Sequence, residues 1–163
     1  MKILKTLAAV FATDLLSLFI GLTLAFSSNI VLRIISSVCT CGILICILGS
    51  FAFKTAYADV KAVRKGDRRP SHIMPFIMGI FSSVPAIISW LILKFSDIDF
   101  YRWHKLINGY FLQIFNFINP NASSDSLTES QIWSILPFSL APAVVFIICY
   151  YISFRIYNKG LLQ

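Results

Sequence analysis

The sequence predicts an all-α polytopic membrane protein. A single domain over residues 1–163 would hold four transmembrane helices and an additional external amphipathic helix, interfacial or re-entrant. Three observations carry this. First, 58% of the residues are hydrophobic and only 13% charged, with a mean hydropathy of +0.80, a balance outside the range of soluble globular chains. Second, four apolar segments, at 7–26, 30–53, 73–93 and 132–154, each reach the roughly 20 residues that cross a ~30 Å hydrocarbon core. Third, the basic residues segregate: of the 14 lysines and arginines, ten fall at the N-terminus, after the second span or in the C-terminal tail. Positive charge in short loops marks the cytoplasmic side, so both termini are expected to be cytoplasmic in a plasma (inner) membrane.

The chain starts MKILK and then runs apolar through the first span to residue 26, a pattern read as a retained signal anchor rather than a cleaved peptide. Inside it stands Asp14, in FATDLLSLFIGL. A carboxyl in hydrocarbon costs several kcal/mol unless it is neutralised, paired or hydrated, which makes it a functional-site hypothesis by default. Ala9, Thr13, Ser17, Gly21 and Ala25 recur every fourth residue, and in the second span Cys39, Gly42, Cys46 and Gly49 follow a similar stripe. Small residues let helices approach closely in lipid, so these two spans are expected to pair through the stripes. Asp14 borders the first stripe, and three arrangements would accommodate it: a protonated carboxyl beside a hydroxyl at Ser17 or Thr40, a charged one in a water-filled cleft, or one paired with a basic residue of another subunit.

A loop at 54–72 follows, containing AYADVKAVRKGDRRPSH. Lys61, Arg64, Lys65, Arg68 and Arg69 make it the candidate contact for a cytoplasmic protein partner or for anionic lipid headgroups. Pro85 near the middle of the third span and Pro142 near the middle of the fourth each remove a helical hydrogen bond, with Ser83 beside the first. Interrupted helices at matching depth point to midplane binding sites in transporters. The external segment, 94–131, contains DFYRWHKLINGYFLQIFNFINPN, whose aromatic residues recur at helical spacing but are broken by Asn108-Gly109. Ser130 or Thr128 is available to cap the last helix.

Catalytic chemistry finds little support. The four cysteines, Cys39, Cys41, Cys46 and Cys149, all fall in spans without metal-ligand spacing and read as small core residues. His72 and His104 fall on opposite sides of the membrane, and no protease, hydrolase or nucleotide-binding motif is present. No cofactor or metal is expected. Nucleic-acid binding is disfavoured because no basic face with stacking aromatics lies away from the membrane.

From AYADVKAVRKGDRRPSH through SVP, RWHKLINGYFLQIFNFINP and LPFSLAP to YYISFRIYNKGLLQ, the chain resembles an uncharacterised family of small four-span bacterial integral membrane proteins over roughly residues 55–163. The resemblance implies a four-span fold, no established activity and no site residues. The leading functional expectation is a non-enzymatic accessory protein or subunit of a larger membrane complex, held to a membrane protein partner or a second copy of itself. The alternative is a small transporter or substrate-binding membrane subunit. Its candidate substrate or proton-binding residues are Asp14, Ser17, Thr40, Ser83, Pro85 and Pro142. An enzyme acting on lipid at the interface is a third, weaker class.

Overall fold

The computed structural model describes residues 2–25, 29–66 and 73–159, all in helices and short connections. The helices are α1 (Lys2–Ala25), α2 (Ile30–Arg64), α3 (Ile73–Phe95), α4 (Tyr101–Ile107), α5 (Leu112–Ile118) and α6 (Glu129–Asn158). Four of them, α1, α2, α3 and α6, are long and apolar enough to cross a membrane. They pack in a ring in which α1 touches α2, α2 touches α6, α6 touches α3 and α3 returns to α1.

Helix ends follow local chemistry. Asn29 caps α2, its side chain accepting from the Val31 N–H at 2.9 Å. Thr128, one of the two expected caps, closes a full capping box with Gln131 on α6. The expected loop at 54–72 needs correction, because α2 continues eleven residues past Phe53 to Arg64. Hydropathy falls there, but the run is rich in Ala, Lys and Arg, all good helix formers. Gly66, at φ 76°, is the first position that favours leaving the helix. At 1.5 Å per residue α2 is about 50 Å long, so several turns project beyond a ~30 Å core. Arg68, Arg69 and His72 lie outside the described residues.

The two ends of the bundle differ in charge. α1 starts, α2 ends, α3 starts and α6 ends at one of them, which gathers Lys2, Lys61, Arg64, Lys65, Arg155 and Lys159. Lys2 pairs with Asp59 at 2.5 Å, and Asp59 also accepts from the Tyr150 hydroxyl at 3.0 Å, tying α1, α2 and α6 together.

The external segment lies neither flat on the surface nor in one piece. α4 and α5 are the limbs of a hairpin that folds back between α1, α2 and α3, joined by a 3-10 turn at Gly109–Phe111. Tyr101, Tyr110 and Phe115 are at most 1% exposed and belong to one core with Leu44, Leu48, Met78, Ile135 and Phe146 from the long helices. Phe111 and Phe115 both meet the Phe138 ring of α6, with centroids 5.3 and 6.0 Å apart.

Of the two small-residue stripes, the one on α1 behaves as expected, with Thr13, Ser17 and Gly21 buried. The one on α2 is buried only at Gly49, which faces Cys149 of α6. Cys39 and Cys46 are exposed, Cys41 and Cys149 only partly buried, so the cysteines are not uniformly core residues. The buried face of α2 otherwise runs through Ser36, Thr40, Leu44, Leu48, Ala52 and Ala56. Periodicity shows that a face of small residues exists, but in a helix apolar on every side it does not say which face meets protein. A tight contact forms elsewhere, where a Cβ on Gly79 of α3 would collide with Ile147 of α6.

Candidate functional site

The hairpin tip explains Asp14. Twelve residues from the start of α1, about 18 Å along its axis, the Asp14 carboxyl accepts the backbone N–H of Gly109 at 2.5 Å. An N–H opening a helical turn has no intrahelical partner, and Asp14 supplies one. Only glycine lets the backbone come this close, since a Cβ at 109 would run into Leu18 and lie 3.0 Å from the carboxyl. The expected hydroxyl partners are not the ones used. Thr40 donates to the Ser37 carbonyl at 3.1 Å, and Ser17 is buried with no hydrogen-bond partner to its hydroxyl among the described residues.

Around the tip lies a buried polar network. The Asn108 side chain donates to Ser89 at 3.2 Å and to the His104 carbonyl at 3.0 Å, and accepts from the Tyr110 hydroxyl at 3.2 Å. Ser89 is 2.8 Å from His104 Nδ1 and donates to the Ala86 carbonyl at 2.9 Å. With its proton committed there, Ser89 accepts from Nδ1–H, and Nε2 becomes a buried acceptor with no partner. His104 is fully buried. Burial pushes its imidazole down to about 4, with the hydrogen bond to Ser89 pulling the other way, so the ring is neutral at physiological pH.

Further along the limbs, Lys105 donates to Asn116 Oδ1 at 2.9 Å and to the Asn119 and Asn121 carbonyls, both at 2.8 Å. Its three ammonium donors are thereby matched, although burial, and secondarily the Arg33 charge, lower its pKa to about 8. Gln113 joins the hairpin to both neighbouring spans, donating to the Gly21 carbonyl at 3.3 Å and accepting from Arg33 at 3.4 Å. The base of the hairpin is closed reciprocally. Ser124 Oγ accepts the N–H groups of Phe100 and Tyr101 while Asp99 accepts the N–H of Ser124 at 2.6 Å, which holds the Asp99 carboxyl below its ordinary range.

Beside Asp14 a cleft of about 480 Å³ opens between α1 and α3, floored by Phe100 and Ile107 of the hairpin. Asp14 and Ser89 are the polar side chains on its wall, and the remainder, including Phe11, Pro85 and Ile88, is apolar. Of the residues singled out in the sequence, Asp14 and Pro85 meet here. Ser83 and Pro142 do not. They belong to the α3–α6 contact, where Ser83 Oγ accepts the N–H of Ala143, immediately after Pro142, at 2.9 Å. The two prolines therefore stand in different places, Pro85 on the cleft wall and Pro142 in the α3–α6 contact. Lys61, Arg64 and Lys65 stand at the far basic end, about a small separate pocket.

Ser89, His104, Lys105, Asn108, Gly109 and Gln113 are the site residues that sequence reasoning missed. The Asn108-Gly109 interruption was their visible signal. Among the described residues no group of three metal-ligating side chains comes together. Comparison with family models, curated proteins and solved structures finds no match to this chain.

Proposed function

We propose that the chain is a non-enzymatic, multi-pass protein of the plasma (inner) membrane that binds an amphiphilic molecule in the α1–α3 cleft, as a small transporter or the substrate-binding subunit of one. The cleft carries this reading. Its volume of about 480 Å³ matches a small-ligand site, and it sets one carboxyl, Asp14, and one hydroxyl, Ser89, on a mostly apolar wall, with Asp14 at the middle of a span. Such a wall suits a molecule with a hydrocarbon body and one cationic or hydrogen-bond-donating group. Placement in a membrane is supported by outward faces built from residues such as Phe11, Phe19, Val38, Ile80 and Val144, all more than half exposed. The basic end then faces the cytoplasm under the positive-inside rule.

Ile88→Trp tests the reading, because it adds bulk to the cleft wall from α3 while leaving Asp14 and the hairpin residues unchanged in sequence. In vesicles containing the purified protein, a fluorescent hydrophobic amine should bind the parent saturably, and lose roughly tenfold or more in affinity, about 1.4 kcal/mol, in Ile88→Trp and in Asp14→Asn. Equal binding by parent and folded variants would remove the cleft from function.

The accessory-subunit reading is favoured by a different observation: α2 projects past the apolar run and presents Lys61, Arg64 and Lys65 as an exposed basic surface. Its mark would be a protein held in stoichiometric amount through mild-detergent purification.

A further inference from the structure

At the basic end, Tyr57, Val60, Lys61, Arg64 and Lys65 of α2 and its cap join Tyr157 of α6 around a pocket of about 200 Å³. We propose that this pocket binds the phosphate of an anionic lipid headgroup from the adjoining leaflet. Three observations lead there.

Among the described residues the lining carries three cations and no carboxylate. Asp59, two residues before Lys61, is committed to Lys2 and Tyr150, and Asp67, two residues after Lys65, lies outside the described residues. One of the cations is also held in place. Arg64 donates from Nη2 to the Tyr157 carbonyl at 2.5 Å, which fixes the guanidinium at the pocket while using one of its five donors. Fixed, planar donors are what phosphate recognition requires.

Depth selects the source. Tyr57 lies one turn past Phe53, where the apolar run of α2 ends, and Tyr157 about one turn past Phe154 on α6. Their rings meet edge to face with centroids 5.0 Å apart. About one helical turn, ~5 Å, beyond the hydrocarbon is the headgroup layer, where tyrosine rings settle. Side chains on a helix lean toward its N-terminus, so Lys61 and Arg64 reach back from the projecting turns to that same level. Cations above and aromatic rings below would enclose a phosphate whose acyl chains continue along the α2–α6 surface.

The test uses the full chain in phosphatidylcholine nanodiscs doped with a fluorescent phosphatidic acid, read by energy transfer from a dye on a single cysteine at Asn158, beside the pocket, in a chain whose native cysteines are replaced. The parent should prefer this lipid to a fluorescent phosphatidylcholine by roughly tenfold. Lys61→Gln with Arg64→Gln should abolish the preference, and Lys61→Gln with Lys65→Gln, which spares the Arg64–Tyr157 bond, should lower it severalfold. Lys5→Gln with Lys54→Gln removes the same charge from the same end outside the pocket and should leave the preference intact. If that control weakens the preference as much as the pocket variants do, diffuse attraction to an anionic surface explains it and the site is refuted. Displacement of the lipid by millimolar inorganic phosphate would make the occupant a free anion and overturn the lipid assignment.

Discussion

Asp14 and Gly109, 95 positions apart in the chain, make the contact on which the site turns. The carboxyl accepts the first N–H of the hairpin turn, so its replacement by residues of similar size but different chemistry separates hydrogen bonding from charge. Asp14→Asn retains an oxygen acceptor and should change stability by less than about 1 kcal/mol. Asp14→Leu leaves the Gly109 N–H without a partner and should cost about 1–3 kcal/mol, read as a lower midpoint in thermal unfolding in detergent. Equal stability of the two variants would mean that the contact does not hold the hairpin. His104 makes a second residue-scale prediction. Its pKa falls from 6.5 unfolded to about 4 folded, so between those values the unfolded chain binds more protons and stability drops as pH falls. The full difference corresponds to about 3 kcal/mol. His104→Gln should remove this contribution, so that the variant's stability relative to the parent rises as pH falls from 6.5 to 4, and a difference that does not change with pH would contradict the assignment of a neutral buried ring.

The elements differ in how far they could be read from the sequence. The four long helices follow from composition, because a run of about 20 apolar residues has few other fates. Where α2 would end was less legible, since hydropathy reports where lipid-compatible surface stops and says nothing of the helix formers at 54–64. The hairpin was legible as the re-entrant alternative for the external segment and as a break at Asn108-Gly109, but not as the choice between re-entrant and interfacial. Its aromatic, sparsely charged limbs have the composition of an interfacial helix, and only contacts far apart in sequence, with Asp14, Gly21, Ser89 and Phe138, bring it inside the bundle. Ser83 and Pro142 were both noted without their connection, which depends on how α3 and α6 pack. That connection is testable. Ser83→Ala would remove the hydroxyl that accepts the Ala143 N–H in a contact already tight at Gly79, and should cost about 0.5–1.5 kcal/mol of stability. Ser83→Thr keeps the hydroxyl and should retain more of it than Ser83→Ala does. The opposite order would show that packing volume, rather than the hydrogen bond, governs the contact.

For the whole molecule, a ring of four long helices around an inserted hairpin gives two unlike ends, one basic and projecting, the other closed by the hairpin base at Asp99 and Ser124. Orientation is checked with single cysteines in a chain whose native cysteines are replaced. One at Asn158 should resist an impermeant thiol reagent in intact cells and one at Ala122 should react, whereas the reverse would place the basic end outside. The central claim is that the segment 101–118 folds back between the spans against α1, and cross-linking measures it most directly. A Cβ at Gly21 would lie 3.4 Å from the Leu112 side chain, so Gly21→Cys combined with Leu112→Cys, again without the native cysteines, should form a disulfide under mild oxidation in membranes. Gly21→Cys combined with Trp103→Cys, whose tryptophan is 57% exposed, should not. Absence of the first cross-link, or equal formation of both, would contradict the inserted hairpin and return the segment to the membrane surface.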